Sequence, residues 1–202
     1  MSFAGRLLIP TSHGQLEAIY RPPAEPAQRV ALVLHPHPLY GGTMHNKVVY
    51  HTAKALEERG VLTLRINFRG VEGSSGGHDH GHGEVDDARV ALDYLLAQQP
   101  QARDVLVAGF SFGAMVALRF GCADRRAQRI VAIGTPARWL DAALFAECAT
   151  PIDFIHGERD DVAPLADLER LVARDRIHVI PGADHFFERH LDALRDTLRR
   201  LV

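Results

Sequence analysis

The chain has 202 residues, 47% hydrophobic and 24% charged, enough for one sizeable core with little room for a second domain, so residues 1–202 are read as one domain. A formal net charge of −2 argues against general affinity for nucleic acid or anionic membrane. No window approaches the roughly 18 to 20 consecutive apolar residues of a membrane span, and Met1–Pro10 lacks the basic start and apolar stretch of a secretory signal.

In chain order, the first strands are predicted at Arg6–Ile9 and Leu16–Tyr20. The Pro-rich stretch Arg21–Gln28 is a loop too short to divide domains. Short runs rich in Val, Ile and Leu then predict buried strands at Val30–Leu34, Leu62–Phe68, Val105–Phe110, Ile130–Gly134, Ile152–His156 and Ile177–Ile180. Helices are predicted between them at Lys47–Arg59, Glu84–Gln99, Phe112–Cys122, Arg138–Glu147 and Pro164–Arg174, with a last one from about Phe187 to Leu201. Regular alternation of this kind implies a mostly parallel sheet covered on both faces. Reactive groups in such sheets gather beyond the carboxyl ends of the strands. Cys122 and Cys148 make neither a disulfide framework nor a CxxC pair and are read as reduced thiols of a cytoplasmic protein.

Gly109-Phe110-Ser111-Phe112-Gly113 matches G-x-S-x-G, a tight strand-to-helix turn that exposes a nucleophilic serine. Side chains at either glycine would clash in that turn, and the Phe112 amide with the helix N-terminus would face a developing oxyanion. Gly73-Ser74-Ser75-Gly76-Gly77 matches the same pattern, but Ser75 lies in a Gly- and His-rich loop with no helix until about Glu84. Ser111 is therefore the candidate nucleophile.

A serine hydroxyl needs a base, and the base needs an acid to fix its tautomer. Ile152–Pro164 (IDFIHGERDDVAP) carries two candidate acids, Asp160 and Asp161, with Glu158 behind them. The candidate base is His185, just after the last strand; His178 within that strand and His190 in the last helix read as structural. Ser111, the acid and His185 thus each follow a different strand, in the order Ser, Asp, His.

With these residues in place the chain resembles the α/β-hydrolase superfamily, in particular small lid-poor bacterial serine hydrolases related to the dienelactone hydrolases. The resemblance runs over nearly the whole chain, through HPHPLYGGTMHNK (His35–Lys47), NFRGVEGSSGGHDHGHGE (Asn67–Glu84), GFSFG, HGERDDVAP and DHFF. It implies an eight-stranded, mostly parallel sheet. The family's acid is usually third after the glycine of the HG turn, which from Gly157 gives Asp160. The resemblance also implies a second oxyanion amide from the loop beginning at His35. Pro36 and Pro38 have no N–H, which leaves His37 or Leu39, with Tyr40 behind them.

His78, His80 and His82 could converge on a metal, but no HExxH or Cys-His spacing accompanies them, and the run is read as a polar loop beside the site with no metal. Only Thr135–Thr150 occupies the place where larger relatives insert a lid, which favours an open cleft; Trp139 either lines it or packs on the sheet. The expected reaction is cofactor-free hydrolysis of a small-molecule acyl substrate, a carboxylester first, without nucleic-acid partners or membrane insertion. Rival readings are a ligand-binding protein on the same fold, a metal-dependent enzyme using the histidine run, and an acyltransferase.

Overall fold

The computed structural model describes residues 5–202; the first four, part of the segment read as lacking a secretory signal, lie outside the described residues. Eight strands form one sheet: β1 (Arg6–Thr11), β2 (Gly14–Tyr20), β3 (Arg29–Leu34), β4 (Leu62–Ile66), β5 (Asp104–Phe110), β6 (Arg129–Ile133), β7 (Ile152–Gly157) and β8 (Ile177–Ile180). Their spatial order is β1-β2-β4-β3-β5-β6-β7-β8. β1 and β2 pair antiparallel, as do β2 and β4; every other pairing is parallel. The parallel strands are apolar on both faces because helices cover both. Along β3, Val30, Leu32 and Leu34 face one core while Ala31 and Val33 face the other, as the period of two requires.

The helices are α1 (Lys47–Glu57), α2 (His82–Gln98), α3 (Phe112–Ala123), α4 (Ala142–Glu147), α5 (Leu165–Glu169) and α6 (Leu191–Leu201). On one face α1 packs beside α6, burying Val48, Val49, Leu56, Leu194 and Leu198 against the sheet. On the other face α2 packs beside α3, whose sequence FGAMVALRF is buried on nearly every side. Each fully buried Val or Leu here contributes about 1.5–3 kcal/mol of transfer free energy. Among the described residues no helix is long and apolar enough to cross a membrane.

The structure departs from the expected elements where side chains compete for the backbone. The helix expected over Arg138–Glu147 is two short pieces, a 3-10 turn at Ala137–Trp139 and α4, because the Asp141 carboxylate accepts the Ala143 N–H and starts a new helix. The helix expected at Pro164–Arg174 ends at Glu169. The last helix begins at Leu191, after a turn in which Phe187 takes a positive φ of 53°. The two cysteines are not reduced thiols. Cys122 at the end of α3 and Cys148 just after α4 form a disulfide, which removes the thiol argument for a cytoplasmic setting. Two cysteines 26 residues apart carry no pairing signal in sequence, whereas the fold brings their backbones together.

Candidate active site

β3 and β5 lie side by side, but β3 leads through α1 to β4 on one side and β5 leads through α3 to β6 on the other. α1 and α3 cover opposite faces, which opens a crevice above these strand ends. Ser111 sits there, between β5 and α3, with φ 55° and ψ −117°, a strained conformation for a residue with a side chain. Crowding explains both glycines of the turn. A Cβ on Gly109 would lie 2.1 Å from the Gly113 carbonyl oxygen, and one on Gly113 would lie 2.5 Å from the carbonyl oxygens of Leu34 and His35. The Ser111 amide donates to the Ile133 carbonyl (2.8 Å), tying the turn to the end of β6.

His185 and Asp160 reach Ser111 from the loops after β8 and β7, across the end of β6. His185 Nε2 is 3.0 Å from Ser111 Oγ, and His185 Nδ1 is 2.7 Å from Asp160 Oδ2. A carboxylate only accepts, so Nδ1 carries the proton and Nε2 is free to accept the serine O–H. Asp160 Oδ1 accepts the amides of Val162 (3.1 Å) and Ala163 (2.7 Å), which fixes the carboxylate on its turn. The β7 and β8 loops are held together by Glu158 N–H to Ile180 O and Arg159 N–H to Ala183 O. Gly157 permits that approach, since a Cβ there would lie 2.5 Å from the Ala183 carbonyl oxygen.

The other acid candidates face elsewhere. Asp161 is exposed, and Glu158 accepts the Gly182 amide. His178 lies 3.2 Å from Asp153. Ser75 is a backbone fixture, its amide on Gln15 O and its carbonyl accepting from Gly70. One neighbour escaped the sequence reading: His156, fully buried, lies 3.5 Å from Asp160 Oδ2 and 2.6 Å from the Ala163 carbonyl. Burial lowers its pKa, so its ring is neutral and braces the turn that holds Asp160. A histidine inside an apolar strand gives no signal of this in sequence.

Among the described residues the Phe112 amide has no hydrogen-bond acceptor, and neither does that of His37. Leu39, the other expected donor, has its amide on His37 Nδ1 at 3.2 Å. Tyr40 N–H is likewise taken, by the His37 carbonyl. The His37 ring itself is kept neutral, its pKa lowered by burial and by the neighbouring His78.

One cavity of about 230 Å³ is lined by Ser111 and His185, and a second of the same volume, lined by Phe112 but not by the serine, shares His37 with it. Trp139 lines the second, with its ring edge toward His37. In the histidine run, His78 lies 2.8 Å from the buried Glu84, which also accepts the amides of Asp79 and Gly81. Among the described residues no three His, Cys, Asp or Glu side chains are arranged to hold a metal ion.

Residues 29–197 match the family described as alpha/beta hydrolase domain. An uncharacterized protein of Rickettsia prowazekii is 41% identical over 186 residues, covering 86% of this chain and 78% of its own. An alpha-beta serine hydrolase homologue from Coxiella burnetii superposes with a TM-score of 0.90 at 34% identity, over 100% of this chain and 99% of its own. A serine hydrolase without lid from Xanthomonas campestris superposes at 0.85, also with 34% identity, over 97% and 92%. The fold, the strained serine turn and these similarities together place the chain in the α/β-hydrolase family.

Proposed function

We propose that this chain is a serine hydrolase that cleaves ester-like acyl bonds, a carboxylester first. The observation that carries the reading is the continuous hydrogen-bonded line from Ser111 beyond β5, through His185 beyond β8, to Asp160 beyond β7. His185 Nε2 takes the Ser111 proton as Oγ attacks the carbonyl carbon, and Asp160 stabilises the imidazolium that forms. The amides of Phe112 and His37 hold the oxyanion, helped by the positive end of α3; each such donor is worth roughly a hundred- to thousandfold in turnover. The C–O bond to the leaving alcohol then breaks as His185 returns its proton to that oxygen. Water attacks the acyl-serine with His185 as base again, releasing the acid and the free serine. The scheme needs no cofactor.

The test is intact mass after treatment with a fluorophosphonate, on wild type and Ser111→Ala. One adduct per wild-type chain and none on the variant is expected, followed by hydrolysis of 4-nitrophenyl esters by wild type alone. A folded wild type that takes up no probe would overturn the reading and bring forward a ligand-binding role for the same cleft.

A further inference from the structure

The two cavities that share His37 differ in chemistry, and the difference points to the kind of ester that fits. The first is walled by Pro36, Tyr40, Phe110, Val162 and Phe186 around the serine and His185. It offers no formal charge apart from the catalytic groups. The second runs along α3, where Phe112, Met115 and Arg119 fall on one stripe at the i, i+3, i+7 spacing of a helix face. His37, His78, His80 and Trp139 form its other walls. No carboxylate lines it.

Arg119 is the uncompensated group. Among the described residues it forms no ion pair, and its one hydrogen bond is a long contact (3.4 Å) to the Trp139 carbonyl. The acids around the histidine run are committed: Glu84 to His78 and to two amides, Asp79 to the Gly83 amide. Room for the guanidinium comes from Gly81, where a Cβ would lie 2.8 Å from Arg119 Nη1 and 2.7 Å from Met115 Cε. A guanidinium has five donors in a fixed fork suited to a carboxylate. About 10 Å of helix separates Phe112 from Arg119, a span that one flat ring plus an anionic group can bridge. The Trp139 and His37 rings pack edge to face with their centroids 6.3 Å apart and together form one aromatic wall of that cavity.

We propose that the substrate is an anionic ester, with a carboxylate bound by Arg119 and a flat apolar spacer lying against Trp139 and His37, while its other half occupies the uncharged cavity. The proposal rests on the assignment of Ser111 as nucleophile only for the word ester; the carboxylate site itself can be tested without turnover.

Trp139 is the single tryptophan of the chain, so intrinsic fluorescence reports on this wall. Benzoate, and benzamide as its neutral isostere, would be titrated into wild type, Arg119→Gln and Arg119→Lys. Saturable benzoate binding at least tenfold tighter than benzamide is expected in wild type, as a charge-assisted hydrogen bond gives roughly 10- to 100-fold. The preference should vanish in Arg119→Gln and persist in part in Arg119→Lys, with unchanged melting curves confirming that both variants fold. Equal affinity for the two compounds in wild type would overturn the proposal, as would a benzoate preference that survives in Arg119→Gln. Benzoate binding by a protein that takes up no fluorophosphonate would keep the anion site and sink the hydrolase reading, so the two failures are distinguishable. In turnover, 4-acetoxybenzoate and mono-4-nitrophenyl glutarate would be compared with their methyl esters. At least one acid should show a KM about tenfold below that of its ester, and Arg119→Gln should bring that ratio to about one.

Discussion

Asp160 and Asp161 are neighbouring carboxylates with opposite surroundings. Asp160 is 6% exposed, accepts two backbone amides and faces the His185 ring, whereas Asp161 points to solvent. Asp160→Asn would replace an acceptor by an amide that can donate to Nδ1, favouring the tautomer with its proton on the nitrogen that must accept from Ser111. We expect kcat to fall by roughly a thousand- to ten-thousandfold in that variant, and by less than about threefold in Asp161→Asn. Ester hydrolysis by the two purified variants is the measurement; equal losses in both would reject the assignment. The sequence offered both residues, and it took a resemblance to favour one. Only the approach of the β8 loop selects the carboxylate that meets the histidine.

At the scale of elements, His35 joins two strand ends. It lies just past β3, is fully buried, and its Nε2 accepts the Phe68 amide beyond β4 while Nδ1 faces the Pro36 carbonyl at 2.6 Å. Burial lowers its pKa from 6.5 to about 4, partly opposed by the Pro36 carbonyl. Between these values the unfolded chain binds the proton more readily than the folded one, so stability falls as pH falls. The loss from this group begins near pH 6.5, reaches about 3 kcal/mol near pH 4 and is level below that. The buried His156 is displaced in the same direction and adds to the loss. Urea unfolding at pH 7 and pH 4.5 should give a clearly smaller acid loss in His35→Gln than in wild type. An identical loss would show that His35 is not buried neutral. The Asn67–Glu84 segment works in the same structural way. Asn67 accepts the Met44 amide and donates to Glu17 and Glu72, and so ties the rim of the loop to β2.

Across the whole molecule, the Cys122–Cys148 bond ties the far end of α3 to the chain after α4, on the stretch that also presents Trp139. Closing a loop of 26 residues restricts the unfolded chain by about 3 kcal/mol in the chain-entropy account. Cys122→Ser, or reduction of the wild type, should lower the unfolding free energy by about that amount in denaturant titrations. Two free thiols titrating in the unreduced, denatured protein would remove the bond and with it the expected loss.

The sequence by itself determined the alternating fold, the serine turn and the position of the histidine, because each is written locally. Buried strands are apolar runs, helices carry their own periodicity, and a turn crowded from both sides requires glycine two residues before and after the serine. Helix ends near Asp141 and Leu191 were less legible, since capping side chains and turns there outweigh a continuous apolar pattern. What the tertiary structure alone decided concerns partners distant in sequence. It seats the His185 ring on Asp160, commits the Leu39 amide, pairs the cysteines and, among the described residues, leaves the His37 amide free and Arg119 without a counter-ion. Hydrogen bonds, disulfides and unpaired charges depend on which groups come within a few ångströms, and that is set by how the sheet is ordered and its loops converge.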